Sequence, residues 1–238
     1  MRSTISNAAA QQCRWHAYPT TAELEQSATL AILHAARLAI NDRGAFHIVL
    51  AGGTTPRRVY ESLRSADAEW TAWHVYFGDE RCLPTDHAER NSRMSALAWL
   101  DHIALPSAQI HPIPAEMGAD AAASAYALIV DGIEQFDLVL LGLGEDGHTA
   151  SLFPGHDLGA TSDSPAVIAV HDAPKPPPQR VSLSAHRLSA ARELMFLVTG
   201  EGKRQAVQDW RSGVSIPAAA IAPTCGVDVY VEGVLLES

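Results

Sequence analysis

The chain has 238 residues, of which 47% are hydrophobic and 18% charged, and a formal net charge of -10. No apolar run is long enough to cross a bilayer, and so acidic a chain repels nucleic acid and anionic lipid as a whole. Any phosphate it takes up must be held by a local positive site, which makes its cations worth locating; only two are lysines, Lys175 and Lys203.

The first twenty residues lack the apolar stretch of a secretory signal, so a cytoplasmic protein is expected. Cys13, Cys82 and Cys225 are odd in number and widely spaced, and they indicate neither a disulfide framework nor a structural zinc. The length fits one domain over residues 1–238.

In chain order, Thr20 or Thr21 caps a helix that carries Leu24, Ala28, Ile32, Ala35 and Leu38 at helical spacing and ends near Gly44. FHIVL (46–50) reads as a short strand, AGGTTP as a glycine turn, and RRVYESLRS as a helix with Thr55 as cap and Pro56 in its first turn. WHVYFG (73–78) repeats the pattern and leads into the polar loop DERCLPTDHAER and a helix beginning near Asn91. An alanine-rich helix within 119–135 precedes the strand DLVLLGLG (137–144). RVSLS (180–184) and ELMFLVTG (193–200) read as strands, EGKRQAVQDW as a helix, and VDVYV (227–231) as the last strand. The proline-rich DAPKPPPQ (172–179) reads as a rigid surface loop. Strands apolar throughout, alternating with helices, predict a three-layer, Rossmann-like α/β fold with a mostly parallel central sheet and helices on both faces. The pattern leaves strand order open.

Ligands of such sheets bind at the carboxyl ends of the strands, so polar residues there carry the functional reading. In AGGTTP, Gly52 and Gly53 let the backbone approach a ligand, and the following helix offers unpaired N–H groups to an anion; a plain strand-to-helix turn is the alternative. The GxxxxGK[ST] spacing of a nucleotide triphosphate loop is absent. Lys203 opens a helix, where a cation is unfavourable without an anion nearby; a solvated lysine is the alternative. Asp79, Glu80 and Arg81 leave a strand within three residues, and Arg81 either meets an anion or oxyanion or closes an ion pair within the triplet. After LVLL, Gly142, Gly144 and Gly147 loosen the chain, and Asp146 is placed to orient His148 as a general base, against the alternative of a structural histidine. A metal set of Asp146, His148 and His156 is a weaker reading, because neither HExxH nor HxH occurs. Ser151 and Cys82 are weaker nucleophile candidates without a GxSxG elbow or a cysteine-protease signature.

Together these segments resemble the 6-phosphogluconolactonase family, within the wider group of glucosamine-6-phosphate deaminases and isomerases. AGGTTPRRVYESL is similar to its SGGSTP segment, DERCLPTDHAERNSRM to DERxxP...SNxxM, and GLGEDGHTASLFPG to GxGxDGHTASLFPG; RVSLS and TGEGKRQAV follow in order. The resemblance implies hydrolysis of 6-phospho-D-glucono-1,5-lactone without metal or organic cofactor; a monomer or small homo-oligomer is expected, and the sequence does not choose between them. It implies His148 as base, Asp146 as its orienter and Arg81 at the oxyanion or emerging carboxylate. Gly52, Gly53, Thr54, Thr55 and Lys203 are then expected at the phosphate, helped by Arg180, with Asp79, Asn91 and Arg93 along the sugar. Ala51, Cys82 and Glu232 depart from the family pattern, where serine, an aromatic and aspartate are usual. A deaminase or isomerase is disfavoured because it carries a DEY-type loop and a further acidic residue in place of SLFP. A non-enzymatic sugar-phosphate sensor that regulates transcription needs a DNA-reading module, for which no basic segment is visible.

Overall fold

The computed structural model describes residues 11–237; residues 1–10 and 238, which the expected single domain includes, lie outside the described residues. Six parallel strands form the central sheet: β1 (Cys13–Tyr18), β2 (Phe46–Leu50), β3 (Trp73–Phe77), β5 (Phe136–Gly142), β8 (Ala191–Val198) and β9 (Val227–Glu232). Their spatial order is β1-β9-β8-β5-β2-β3. Helices α1 (Thr21–Arg43), α2 (Thr54–Leu63), α3 (Asn91–Ala98), α4 (Ala119–Val130), α5 (Ala185–Ser189) and α6 (Arg204–Arg211) complete a three-layer α/β fold. All of β5 but Gly142 is buried, as a strand covered on both faces requires, whereas β9 alternates between buried and half-buried residues.

The ends of α1 follow local chemistry. The Thr20 hydroxyl accepts the Glu23 N–H at 3.2 Å, and Gly44, at φ 80°, donates its N–H to the Ile40 carbonyl. Leu24, Ala28, Ile32 and Ala35 are buried as expected, but Leu38 is exposed because the 3.6-residue period continues through Ala39.

Strand order creates the functional edge. From α1 the chain enters β2, steps outward to β3, returns to β5 on the other side of β2, and continues away through β8 and β9. The chain therefore leaves β2 and β5 in opposite directions although the strands are neighbours, paired through Ile48–Leu138 and Val49–Val139. A crevice opens between their carboxyl ends.

A second, antiparallel sheet of order β4-β7-β6 lies beside it, made of β4 (Asp79–Arg81), β6 (Val167–Val170) and β7 (Arg180–Leu183). Here the structure corrects the sequence reading: GDER is the short strand β4, not a loop, and RVSLS belongs to this sheet. Three polar residues carry no readable period, so β4 is defined only by its partner, which sets Arg81 opposite Arg180. The strands β1 and β6 and helix α5 also escaped the sequence pattern.

Candidate active site

A cleft of about 200 Å³ occupies the crevice, lined among others by Gly52, Gly53, Asp79, Arg81, Asn91, His148, Arg180 and Lys203. An adjoining depression of about 240 Å³ shares Gly52, Gly53 and Lys203 with it and adds Thr54, Thr55 and Thr199. Residues from six separate stretches of the chain thus meet at one sheet edge.

The turn after β2 is built for close approach. A Cβ on Gly52 would lie 2.0 Å from the Asn91 Oδ1 atom, and Gly53 adopts φ 107°. Thr55 does not cap α2, as the sequence reading expected; Gly53 holds the cap position without any side-chain hydrogen bond. The Thr55 hydroxyl instead meets that of Thr199 at 2.6 Å, tying this turn to the one after β8. The first turn of α2 is left with N–H groups that no side chain caps, facing the depression that contains Lys203.

The turn after β5 wraps around the imidazole. The Gly144 N–H donates to the His148 carbonyl at 2.7 Å, and a Cβ on Gly144 would fall 2.0 Å from His148 Nδ1. The Nδ1 atom is hydrogen-bonded to the Asp146 carboxylate, and Nε2 has no protein partner among the described residues. A carboxylate accepts, so Nδ1 carries the proton and Nε2 keeps its lone pair. The ring also packs 4.8 Å from Phe153 and its side chain is 18% exposed. Burial lowers the His148 pKa below its ordinary 6.5 against the hydrogen bond and charge of Asp146, which act to raise it. Burial acts to raise the Asp146 carboxyl, but the His148 hydrogen bond and charge outweigh it and hold that carboxyl below the ordinary range.

Along β4, alternation sends Asp79 and Arg81 to the cleft and Glu80 to the opposite face. Asp79 is clamped: its Oδ2 accepts the Ser151 hydroxyl at 2.6 Å, and its Oδ1 accepts the Asn91 amide at 2.9 Å. Ser151 is therefore a buried donor to Asp79, turned inward just after Ala150, which adopts φ 48°. Glu80 makes no ion pair with Arg81. It pairs with the buried Arg90 at 3.4 Å and accepts the N–H groups of Asn91 and Ser92 at 2.8 and 2.9 Å, capping α3 from another strand. Arg81 donates its Nη1 to the Glu89 carbonyl. Sequence reasoning missed what Glu80 and Ser151 do; the alternation that separates Glu80 from its neighbours follows only from the pairing of β4 with β7.

Lys203 lies at the end of a single 3₁₀ turn (Glu201–Lys203), one residue before α6 rather than within it. Burial lowers its pKa, with Glu145 and Asp146 acting the other way. The Glu232 carboxylate, at a departure from the family pattern, accepts the Gly200 N–H at 2.6 Å and anchors this turn. Arg180 lines the cleft, but its Nε and Nη2 donate to the carbonyls of the proline loop. Arg93 is the expected residue that the structure does not bring in: it lines a separate groove with Phe77, Leu100 and Ile113 on another side of α3. Since Asn91 faces the cleft, a residue two positions on along a helix points elsewhere. Among the described residues no group of three or more histidine, cysteine, aspartate or glutamate side chains is placed to hold a metal ion.

Residues 19–230 match the family described as glucosamine-6-phosphate isomerases/6-phosphogluconolactonase. The chain belongs to this family. Within it, the chain is 37% identical to the 6-phosphogluconolactonase of Mycobacterium tuberculosis over 219 residues, covering 85% of this chain and 88% of that protein. It is also 37% identical to the 6-phosphogluconolactonase of Synechocystis over 178 residues, covering 71% and 72% of the two chains. The solved 6-phosphogluconolactonase of Thermotoga maritima superposes with a TM-score of 0.83 at 25% identity, over 93% of this chain and 99% of that one. That of Trypanosoma brucei, at 24% identity and a TM-score of 0.84, covers 95% and 98% and shares the fold.

Proposed function

We propose that this chain hydrolyses 6-phospho-D-glucono-1,5-lactone to 6-phosphogluconate, a step of the oxidative pentose phosphate pathway. His148 Nε2 takes a proton from water as the water oxygen attacks the lactone carbonyl. The ring C–O bond then breaks, and the imidazolium returns the proton to the departing ring oxygen. Asp146 holds the reactive tautomer and steadies the imidazolium, and Arg81 meets the negative charge growing on the carbonyl oxygen. Gly52, Gly53, Thr54, Thr55 and Lys203 take the phosphate, while Asp79 and Asn91 face the sugar. One observation above all supports this reading: the free Nε2 of His148 and the uncapped start of α2 with Lys203 line two depressions that share a wall. The relatives named as 6-phosphogluconolactonases favour this reading over the isomerase one.

We also read the chain as one domain that works in the cytoplasm as a monomer or small homo-oligomer. One large hydrophobic core that includes residues of both sheets supports the first statement. No helix among the described residues is long and apolar enough to cross a membrane.

The test is a coupled assay of the phosphorylated lactone with no added metal, corrected for spontaneous hydrolysis. His148→Ala should lose most of kcat and still bind 6-phosphogluconate, and Lys203→Ala should chiefly raise KM. Undiminished turnover by His148→Ala removes the imidazole from the chemistry.

A further inference from the structure

The proline loop between β6 and β7 is stapled to the wall of the cleft. Arg180, buried in that wall, donates Nε to the Pro177 carbonyl at 3.1 Å and Nη2 to the carbonyls of Lys175 and Pro176 at 3.0 and 3.2 Å. The Ala173 N–H closes the loop on the Pro178 carbonyl at 3.0 Å. Phe153 clusters with Val170 and Ala173, apart from the main core. The Arg180 guanidinium lies 5.6 Å from the centre of the Phe153 ring, and that ring packs on His148 at 4.8 Å. An unbroken series of contacts therefore fixes the backbone of Lys175 relative to the imidazole.

The Lys175 side chain is exposed, and its ammonium makes no hydrogen bond or ion pair among the described residues; the same holds for the ammonium of Lys203. A chain with a net charge of -10 thus leaves both of its lysines unpaired, one in the cleft wall and one on the loop stapled to it. A dianion calls for a second cation beside Lys203, and two ammonium groups brought together repel unless an anion lies between them. Arg180 cannot take the second place fully, since only its Nη1 is free of the loop carbonyls. The charge of Lys175 reaches into the site: after the larger effect of burial, it lowers the pKa of both His148 and Lys203. Asp146 and Asp79 act in the opposite sense on His148, as do Glu145 and Asp146 on Lys203.

We propose that Lys175 is the second ammonium of the substrate site, closing with Lys203 on the phosphate dianion, and that the Arg180 staple holds the loop to place it there. This rests on the lactonase reading above. A single lysine leaves half of a dianion's charge unmatched, and a flexible side chain on a fixed base loses less freedom on binding than a mobile loop would. The consequence is selectivity for phosphorylated over unphosphorylated lactones.

The test compares wild type, Lys175→Ala and Lys175→Arg on the phosphorylated lactone and its unphosphorylated counterpart, beside calorimetric titration with 6-phosphogluconate. For Lys175→Ala, assayed at a pH above the acid limb, KM for the phosphorylated lactone should rise roughly tenfold with kcat changed less than about twofold, and kcat/KM for the other lactone should stay within about twofold. Lys175→Arg should recover most of the loss. With a cation removed from beside His148, the acid limb of kcat/KM should move to higher pH in Lys175→Ala, which loosening of the loop alone would not produce. An unchanged KM, or an equal rise for both lactones, overturns the proposal. If wild type hydrolyses neither lactone, the lactonase reading fails and the titration decides Lys175 separately. A Kd for 6-phosphogluconate weakened roughly tenfold in Lys175→Ala supports the second ammonium, and an equal Kd rejects it.

Discussion

Replacing Gly52 by alanine isolates one contact on which the cleft depends. Gly52, unlike Gly53, has no left-handed φ, so alanine adds no backbone strain and its whole cost comes from what the new methyl group meets. That group would lie 2.0 Å from Asn91 Oδ1 and 2.6 Å from Asn91 Cγ, well inside the ~3.5 Å at which non-bonded atoms settle. Asn91 has nowhere to retreat: it is 5% exposed, and its amide donates to the Asp79 carboxylate at 2.9 Å and to the Asp79 carbonyl at 3.0 Å. Pushing it aside breaks both bonds and leaves buried groups unpaired, a loss of about 2–4 kcal/mol. The glycine turn shifts with it, and kcat/KM should fall roughly a hundredfold, as a displacement of about 1 Å can cause. Denaturant unfolding and lactone kinetics on Gly52→Ala, Asn91→Ala and the double variant measure both effects. In the Asn91→Ala background the same alanine should cost under about 1 kcal/mol, because the obstructing atoms are gone. Equal cost in both backgrounds, or none in wild type, refutes the steric argument.

Four further outcomes follow from the geometry. Asp146→Asn should lower kcat by roughly 10²–10⁴-fold, since an amide can donate to Nδ1 and favour the tautomer in which Nε2 is already protonated. In wild type the acid limb of kcat/KM should fall below pH 6.5, because burial outweighs Asp146 at His148 and a base loses activity as pH drops through its pKa; a limb above 6.5 contradicts this. Glu80→Ala should destabilise the fold by about 2–4 kcal/mol in denaturant unfolding, because it uncaps α3 by leaving the Asn91 and Ser92 N–H groups without their acceptor, while the buried Arg90 keeps Glu116 at 2.7 Å; a loss under about 1 kcal/mol would count against that role. The rings of His47, His74 and His111 stack across β2, β3 and the adjoining bridge, with successive centroids 4.8 and 5.7 Å apart. Burial lowers all three pKa values, and His74 adds repulsion at His47 and His111, while Asp137 opposes the shift at His47. Both folded and unfolded states are neutral at these rings above about pH 6.5; below it the unfolded chain takes up protons first, so stability should fall with pH. His74→Gln should flatten that fall between pH 7 and 5.5 in urea titrations, and an unchanged slope would acquit the stack.

Much of this was legible because it depends on neighbours in the chain. The runs FHIVL, WHVYF and DLVLLG are too apolar to sit anywhere but in a covered sheet, and Thr20 and Gly44 fix α1 by local hydrogen bonding. The residue types of the cleft were legible as well, since glycines, His148 and Lys203 fall at strand ends where ligands are met. Arg93 and Thr55 were misplaced because helix phase and the competing hydroxyl of Thr199 decide where they point.

By itself the sequence determined which segments are strands and helices, and which chemistry is available, because periodicity, capping and side-chain type act over a few residues. Tertiary structure alone decided that β2 and β5 are neighbours, that Ser151 reaches Asp79 seventy-two positions away, and that Arg180 grips the loop carrying Lys175. The physical reason is that strand order and cross-loop contacts come from packing between surfaces far apart in the chain, where the local pattern carries no information about the partner.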